Sequence, residues 1–423
     1  LARVTSSIFD EGQLGTLVIG FATYDFAPGL FAQGKLESIR IDDENPYITT
    51  DGKAIFAHEG THLRVLALSC ERYAVPDGCQ VIEKKAFANR SELYEVELPD
   101  AITTIEDYAF SYSGLESFTS PRDLRTIGER AFFRCRKLAQ VTLDEGLVSI
   151  GDDAFTGTGI ETLRVPATLE TLGNSIAADT KLSFSGDDAG FSIAAGGILE
   201  IDREGGLYRN TPEGKHFVHL LDDKAREYTV QPGTIEIEPH AFAHHAHVTK
   251  VTLPEGLLRI GGAAFRDCHE LAIADFPSTL EEVGDEAFLD TSLSRAFIPR
   301  NLRRLGNTAL ITHGAHNGDE APSLTSIGVE EGNERFYSVP GLLIERHDDG
   351  SHVVVYADGT ESVRIPEDVT VIDPYAFGGA RHLRELFLSD RIRRVGMRGL
   401  SLDCFVEHFH IDLDEPHEGH ACF

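Results

Sequence analysis

An Ala-Phe pair recurs along this chain at a nearly constant spacing, and this spacing constrains the fold more than any other feature. The phenylalanines of these pairs occupy positions 87, 110, 132 and 155, and again 242, 265 and 288, about 23 residues apart. An internal period of about 20 to 50 residues is typical of solenoids, in which each unit packs only on its neighbours. The sequence therefore predicts a stack of similar coils and not a single globular core.

The same apolar skeleton surrounds each Ala-Phe pair. One copy consists of Leu124, Ile127, Gly128, Ala131, Phe132, Cys135, Leu138, Val141 and Leu143. Its Leu-x-x-Val-x-Leu part alternates apolar and polar residues, which predicts a short strand with one buried face. Strands joined by crossovers of about 17 residues must be parallel, and such crossovers are right-handed. We expect a right-handed coil whose phenylalanine rings stack in one buried column.

Small residues mark two further positions of the repeat. The Ile-Gly and Val-Gly pairs, as in Ile127-Gly128 and Val283-Gly284, indicate either a positive φ or a place without room for Cβ. Cys135 and Cys268 both lie three residues after the phenylalanine, where a thiol is expected to pack in the core.

The chain has six cysteines, too few for a disulfide framework. A bridge between Cys70 and Cys79 across the turn at Val75 and Pro76 stays open as an alternative to two free thiols.

A second kind of segment interrupts the repeats at three places. Each copy has alternating β-forming residues around Gly and Asp and leads to an X-Pro exit at Pro76, Pro232 or Pro366, which predicts a β-hairpin. The predicted order is partial repeat coils over 1–41, a hairpin module over 42–77, repeats over 78–184, a hairpin module over 185–233, repeats over 234–329, a hairpin module over 330–366, and C-terminal repeats with the chain end over 367–423.

The consensus Val-x-x-Ile-Gly-x-x-Ala-Phe-x-x-Cys-x-x-Leu-x-x-Val-x-Leu-Pro resembles the BspA-like, or Treponema pallidum type, leucine-rich repeats. The resemblance covers most of the chain and implies an α/β to mainly β leucine-rich-repeat solenoid. In that family the solenoid is a right-handed curved superhelix with a parallel sheet on its concave face, here interrupted by three β-hairpin modules. Many members are surface or secreted proteins of oral or gut bacteria and are associated with adhesion to host matrix proteins or to other cells.

The chain departs from the family pattern in some coils. The Cys position is Arg90 in one coil, and the Ala-Phe pair is replaced by Ile176-Ala177 and Ala309-Leu310 in two others. We interpret these last two as cap-like coils before each hairpin.

Charge and hydropathy narrow the class of partner. The formal net charge is −31, from 69 acidic and 38 basic residues, so the summed field repels nucleic acid and anionic lipid.

No stretch of 18 apolar residues and no signal-peptide pattern occurs. Because the chain begins inside a repeat, it reads as a piece of a longer protein. We predict a cell-surface or secreted location, from the family resemblance, and no membrane insertion of this segment.

Linear motifs of common enzyme classes are absent, including GxSxG, GxxxxGK[ST], HExxH and GxGxxG. Two groups of histidines are candidates for a metal site. The first comprises His240, His244, His245 and His247; the second comprises His408, His410, His417 and His420, with Cys422 nearby. The second group is the better metal candidate, but its spacing fits no standard zinc site and we interpret it as a surface tail. In the first group, we interpret His244, His245 and His247 as part of a solvent-facing loop. The sequence thus predicts no catalytic, metal or cofactor site.

Strand positions whose side chains point away from the stacked core are the candidate binding surface. These residues are Glu95, Glu97, Gln140, Thr142, Thr162, Arg164, Lys250, Thr252, Arg295, Phe297, Glu385 and Phe387. Solenoids present such rows as extended surfaces for protein ligands, although any alternating strand has a polar half. Phe297 and Phe387 favour binding, because outward aromatic residues often anchor interfaces.

The predicted function is a non-enzymatic protein-binding or adhesion scaffold with a protein or glycan ligand. Two alternatives remain at this point: a structural spacer of a larger surface protein and a cytoplasmic protein-interaction scaffold.

Overall fold

The computed structural model describes residues 3–4, 13–23, 25–26, 35–186, 190–311, 324–378, 380–400 and 408–411. The chain divides into two compact units, Leu1–Gly205 and Gly206–Phe423. Both units are built from short strands stacked coil upon coil, as a β-solenoid. Within the described ranges the one helical segment is a 3-10 turn at His58–Gly60, so the mainly β form of the predicted fold class is the correct one.

The Leu-x-x-Val-x-Leu segments form the first set of strands, which we call ladder A. In the first unit its strands are Arg72–Ala74, Glu95–Glu97, Ser117–Thr119, Gln140–Thr142, Leu163–Val165 and Phe191–Ile193. In the second unit they are Glu227–Thr229, Lys250–Thr252, Ile273–Ala274, Arg295–Ile298, Ser326–Val329, Ser362–Arg364, Glu385–Leu388 and His408–Ile411. Pairing is parallel and joins equivalent positions of neighbouring coils, for example Phe118 with Val141, as predicted.

A second parallel ladder, ladder B, lies at the Ile-Gly positions, where the sequence predicted no strand. Its strands in the first unit are Val81–Ile82, Thr104–Ile105, Thr126–Ile127, Ser149–Ile150 and Thr171–Leu172. In the second unit they are Thr234–Ile237, Arg259–Ile260, Glu282–Val283, Arg304–Leu305, Val369–Ile372 and Arg394–Val395. Each complete coil therefore has two short strands.

Close approach of neighbouring coils explains the glycine that follows seven of the eleven ladder B strands. A Cβ on Gly128 would lie 2.6 Å from the backbone nitrogen of Asp107 in the preceding coil, and Gly128 has no positive φ. The crowding alternative is thus correct here, and the positive-φ alternative is wrong.

Antiparallel strands occur at the start of each ladder B series. In the first unit they are Ile48–Thr50, Ala54–Ala57 and His62–Leu66. In the second unit they are Gly206–Asn210 with Lys215–Leu220, and Phe336–Val339 with Leu342–Glu345 and Ser351–Tyr356. We call these three groups meanders. The last strand of each meander pairs in parallel with the first ladder B strand that follows it, so a meander forms the first rung of each stack.

The remaining strands lie in the first unit. Arg3–Val4 pairs in parallel with Asp25–Phe26, Gln13–Ile19 pairs in parallel with Lys35–Ile41, and Leu199–Ile201 is the last strand before the second unit.

The predicted column of phenylalanine rings is present in each unit. In the first unit the ring centroids of Phe87, Phe110, Phe132 and Phe155 are 4.7, 5.1 and 5.2 Å apart in succession, with planes within 6° of parallel. In the second unit Phe217 of a meander begins a column that continues through Phe242, Phe265 and Phe288 at 4.6, 4.8 and 4.8 Å. All eight rings are fully buried.

The backbone around each stacked phenylalanine of an Ala-Phe pair is left-handed at two residues. Arg130 and Arg134, two residues before and after Phe132, have φ of 52° and 57°, and the residues around the six other phenylalanines of these pairs follow the same pattern. Such a conformation costs a non-glycine residue roughly 1 to 2 kcal/mol. Hydrogen bonds between coils offset this cost, as when Phe132 N–H donates to the carbonyl of Ala154 at 2.8 Å.

The position three residues after the phenylalanine is buried in each of these coils. Cys135 and Cys268 occupy it as predicted, and each thiol donates a hydrogen bond to a phenylalanine carbonyl of the preceding coil at 3.0 Å. Burial raises the pKa of Cys135 to about 11 and that of Cys268 to about 12, so both thiols stay protonated and unreactive. Cys70 and Cys79 are free thiols.

Removing one ring from the column should destabilise several coils, because each coil depends on its neighbours. We expect Phe132→Ala or Phe265→Ala to lower the free energy of unfolding by about 3 to 5 kcal/mol, the usual cost of deleting a buried phenylalanine. Thermal unfolding followed by circular dichroism measures this. Phe297→Ala is the control, since Phe297 is exposed. A midpoint unchanged within about a degree in both column variants would contradict the role of the column.

Candidate protein-binding surface

The outward side chains of ladder A form two parallel rows on each unit. In Lys250–Thr252 and Arg295–Ile298 the inward residues Val251 and Ala296 are buried, whereas Lys250, Thr252, Arg295 and Phe297 are exposed. All twelve candidate residues are exposed or half-buried, so none of them faces the core. The twelve residues therefore all lie on the outward side of ladder A, but they do not form a single cluster.

A shallow groove of about 590 Å³ collects three of the candidates in the first unit. Thr142, Thr162 and Arg164 line it together with Ser192 of the next strand. Among the described residues no carboxylate pairs with Arg164, so its guanidinium can accept an anionic group from a ligand. Gln140 lies on the same strand as Thr142, in the neighbouring row.

Glu95 and Glu97 lie on another strand of ladder A in this unit. Glu95 forms an exposed ion pair with Arg72 of the preceding coil, with 3.0 Å between Nε and Oε2, while Glu97 lies opposite Ala74. Hence this part of the surface is locally paired, unlike the groove around Arg164.

In the second unit, Lys250 and Arg295 occupy the first outward position of their strands and Phe297 occupies the second. Lys250 has no carboxylate partner among the described residues, and Arg295 lies 3.8 Å from Asp275. Phe297 is 61% exposed, and a Cβ on Gly328, the residue opposite it in the next strand, would lie 3.1 Å from its ring. The glycine leaves the face of the ring uncovered by a side chain.

Glu385 and Phe387 lie on a later strand of the second unit and are both half-buried. The guanidinium of Arg364, directly opposite Phe387 in the neighbouring strand, covers its ring at 4.3 Å. Phe387 is thus already engaged by a cation and is a weaker anchor than Phe297.

The first histidine group divides between surface and core. His244 and His247 are exposed and lie 3.0 and 3.4 Å from Asp267 and Glu270. His245, however, occupies the buried position of the cysteines, so the prediction that it lies on a solvent-facing loop is wrong. In the second group, His408 and His410 lie on a ladder A strand, and His417, His420 and Cys422 fall outside the described residues.

His245 packs against a second buried histidine, His219 of the meander, with the two rings 5.4 Å apart. Burial lowers the pKa of His219 to about 3, and burial also lowers the pKa of His245. The residues equivalent to His219 in the other two meanders are Val65 and Val355, both buried. An apolar residue therefore fits this position.

This histidine pair makes stability depend on pH. Because the pKa of His219 is lower in the folded state than its unfolded value of about 6.5, the unfolded chain binds more protons and stability falls as pH drops below about 6.5. Between pH 7.5 and 5.0 we expect His219 to remove about 2 kcal/mol of unfolding free energy. His219→Val should flatten the pH dependence of the thermal midpoint. Equal slopes for wild type and variant over this range would refute the assignment.

A cation and aromatic surface on the Ala-Phe turns of the first unit was missed from the sequence. Lys85 and Arg130 lie 5.8 Å from the ring centre of Tyr108 on opposite sides along the stack, and Arg134 lies 5.8 Å from that of Tyr112. The signal was the alternation of cation and aromatic at equivalent positions of successive coils. Such contacts contribute about 0.5 to 1 kcal/mol each at exposed sites and link neighbouring coils.

Within the described ranges, no helix is both long and apolar enough to cross a lipid bilayer.

The repeats and the fold define a leucine-rich-repeat protein. A family model described as a BspA type leucine-rich repeat region matches six copies, over residues 67–183, 224–329 and 353–416, which is more than half of the chain. The chain therefore belongs to the BspA-type leucine-rich-repeat family, as the sequence motif indicated. No curated protein matches the sequence.

Several solved structures are similar. The pneumococcal vaccine antigen PcpA is 19% identical, with 88% of this chain and 88% of that chain covered and a TM-score of 0.51. A leucine-rich cell surface protein from Faecalibacterium prausnitzii is 18% identical, with 87% and 77% covered and a TM-score of 0.38. A leucine-rich repeat protein from Bacteroides ovatus is 22% identical, with 76% and 80% covered and a TM-score of 0.42. At these identities the likeness to PcpA shows a shared fold.

Proposed function

We propose that this chain is a protein-binding scaffold of a bacterial cell-surface or secreted protein and that it binds through the outward rows of ladder A. Membership of the leucine-rich-repeat family supports an interaction role. The fold shared with a pneumococcal vaccine antigen is in line with the proposed location.

One observation supports ladder A as the binding surface. Its outward rows hold two cations without a carboxylate partner among the described residues, Arg164 and Lys250, together with the exposed ring of Phe297. A protein of net charge −31 has an excess of acids to neutralise its basic residues. Cations that stay unpaired on a backbone-bonded sheet are therefore available to acidic groups of a partner. Aromatic and arginine side chains are also the residues most enriched among interface hot spots.

The structure also favours binding over a purely spacing role in one respect. A spacer requires only that the coils stack, which the buried core and the main-chain hydrogen bonds between coils provide. The groove at Arg164 and the exposed ring of Phe297 lie outside that core. Under the proposal, both serve recognition.

Charge reversal on ladder A should weaken binding. We expect Arg164→Glu or Lys250→Glu to reduce affinity about tenfold, equivalent to roughly 1.4 kcal/mol, for the protein that binds within a panel of purified fibronectin, laminin, fibrinogen and collagen. Biolayer interferometry with the intact chain measures this. Arg136→Glu and Arg303→Glu are matched controls, because both arginines are exposed and lie off ladder A.

The outcomes separate the alternatives. An equal loss of affinity in the two control variants would show that the interface does not lie on ladder A. Binding to purified glycans but to no protein of the panel would identify a glycan ligand, and an absence of binding to either class would favour the structural spacer.

A further inference from the structure

The hairpin tip of the third meander brings together two histidines and an aspartate. Strands Leu342–Glu345 and Ser351–Tyr356 are antiparallel, and Glu345 lies opposite His352. His347 and Asp349 lie on the loop between these strands. One ligand atom from each of His347, Asp349 and His352 lies within 4.8 Å of the others.

Two nitrogens of this cluster have no hydrogen-bond partner. Nε2 of His347 and Nε2 of His352 are both buried and unpaired among the described residues. Leaving a buried polar atom unpaired costs about 1 to 3 kcal/mol, so two adjacent cases on one hairpin need a physical explanation. A cation bound by both nitrogens supplies one.

A carboxylate lies behind the ring of His352, and a second carboxylate lies beside Nε2 of His347, the nitrogen of that ring without a hydrogen bond. Nδ1 of His352 is 3.2 Å from Oδ1 of Asp373, and Nε2 of His347 is 3.3 Å from Oε2 of Glu345, although without the angle of a hydrogen bond. A metal-binding histidine commonly donates its second N–H to a carboxylate, which fixes the ring and raises the basicity of the nitrogen that binds the ion. The Asp373 contact leaves Nε2 of His352 for that role.

From this arrangement we propose that His347, Asp349 and His352 form a zinc site at the tip of the third meander. Imidazole and carboxylate together suit Zn²⁺, whereas Ca²⁺ and Mg²⁺ select oxygen ligands alone. Three protein ligands and one water complete a tetrahedral shell. Asp349 is exposed on the loop, so it can move inward to the ligand spacing of ~3.4 Å that Zn²⁺ bonds of about 2.0 to 2.2 Å impose.

Binding has a structural consequence at the two rings. They lie face to face in the free protein, with centroids 3.9 Å apart and planes 21° from parallel. Because an ion binds a ring nitrogen in the plane of the ring, at least one ring turns out of the stack when zinc binds. The two strands of the hairpin hold the backbone while this happens.

This site was not predicted from the sequence, because Asp348 and Asp349 are residues that commonly form an ordinary turn. The available signal was a pair of histidines, His347 and His352, on either side of a predicted hairpin tip.

Isothermal titration of the intact chain with ZnCl₂ tests the proposal. We expect one zinc per chain at this site, with a Kd on the order of 10 µM or lower, and at least a tenfold weaker Kd in His347→Ala, His352→Ala and Asp349→Asn. The aspartate variant changes only an exposed loop residue, so it keeps the test valid if a histidine variant fails to fold. His269→Ala is the control, because His269 is exposed and lies outside the cluster.

Other outcomes overturn the proposal. One is the absence of zinc binding up to about 1 mM. Another is binding that is unchanged in Asp349→Asn and His347→Ala, which would place the ion at other histidines of the chain. Equal competition by Ca²⁺ would show that the carboxylates alone hold the ion. Substitution with Co²⁺ gives a second readout, since the visible absorption of tetrahedral cobalt should appear in the wild type and be lost in the variants.

Discussion

The structure depends on one constraint: equivalent residues of successive coils must lie directly beside each other. Phe132 shows how this is achieved, because its ring stacks on those of Phe110 and Phe155 while its N–H donates to the carbonyl of Ala154. The ring buries apolar surface, and the backbone hydrogen bond, which is directional, fixes which residues of the two coils lie side by side. Since both act at the same residue, a coil that shifted by one position would lose them together. This coupling fixes the register of both ladders.

The register of the coils also determines which charged side chains become neighbours along each row. Stacking in register would place like charges about 5 Å apart in every row if the repeats were identical. Ladder B of the second unit avoids this, because Glu236, Arg259, Glu282 and Arg304 succeed each other at equivalent positions and alternate in sign. Arg259 pairs with Glu236 at 2.6 Å, and Arg304 pairs with Glu282. Each exposed pair contributes little, yet the alternation removes repulsion along the row.

Much of the fold was readable from the sequence, because apolar spacing and a buried face determine it. The period, the ladder A strands and the column containing Phe132 and Phe265 all rest on residue types that repeat. Ladder B was not predicted, since two-residue strands such as Thr126–Ile127 are too short to show alternation. The left-handed residues were missed for a related reason: Arg130 and Arg134 carry no glycine or asparagine signal.

The candidate surface was predictable only in part. Alternation shows which side chains of ladder A point outward, and the structure agrees for Arg164 and Phe297. Pairing is decided by neighbours one coil away, so the sequence did not reveal that Arg364 covers Phe387 or that Arg164 has no carboxylate partner in the part of the chain that the structure describes. His245 shows the same limit, because its neighbour His219 comes from a meander and not from a repeat.

The glycine that lets neighbouring coils approach has a consequence for how such arrays change in length. At Gly128 the backbone of one coil rests directly on that of the previous coil, with no side chain between them. The distance from one coil to the next is therefore set by main-chain hydrogen bonds and stays near 4.8 Å regardless of what the exposed positions carry. An in-frame gain or loss of one repeat would then translate everything beyond it by one such step. The stack can therefore lengthen or shorten by whole repeats while the spacing along each exposed row stays the same.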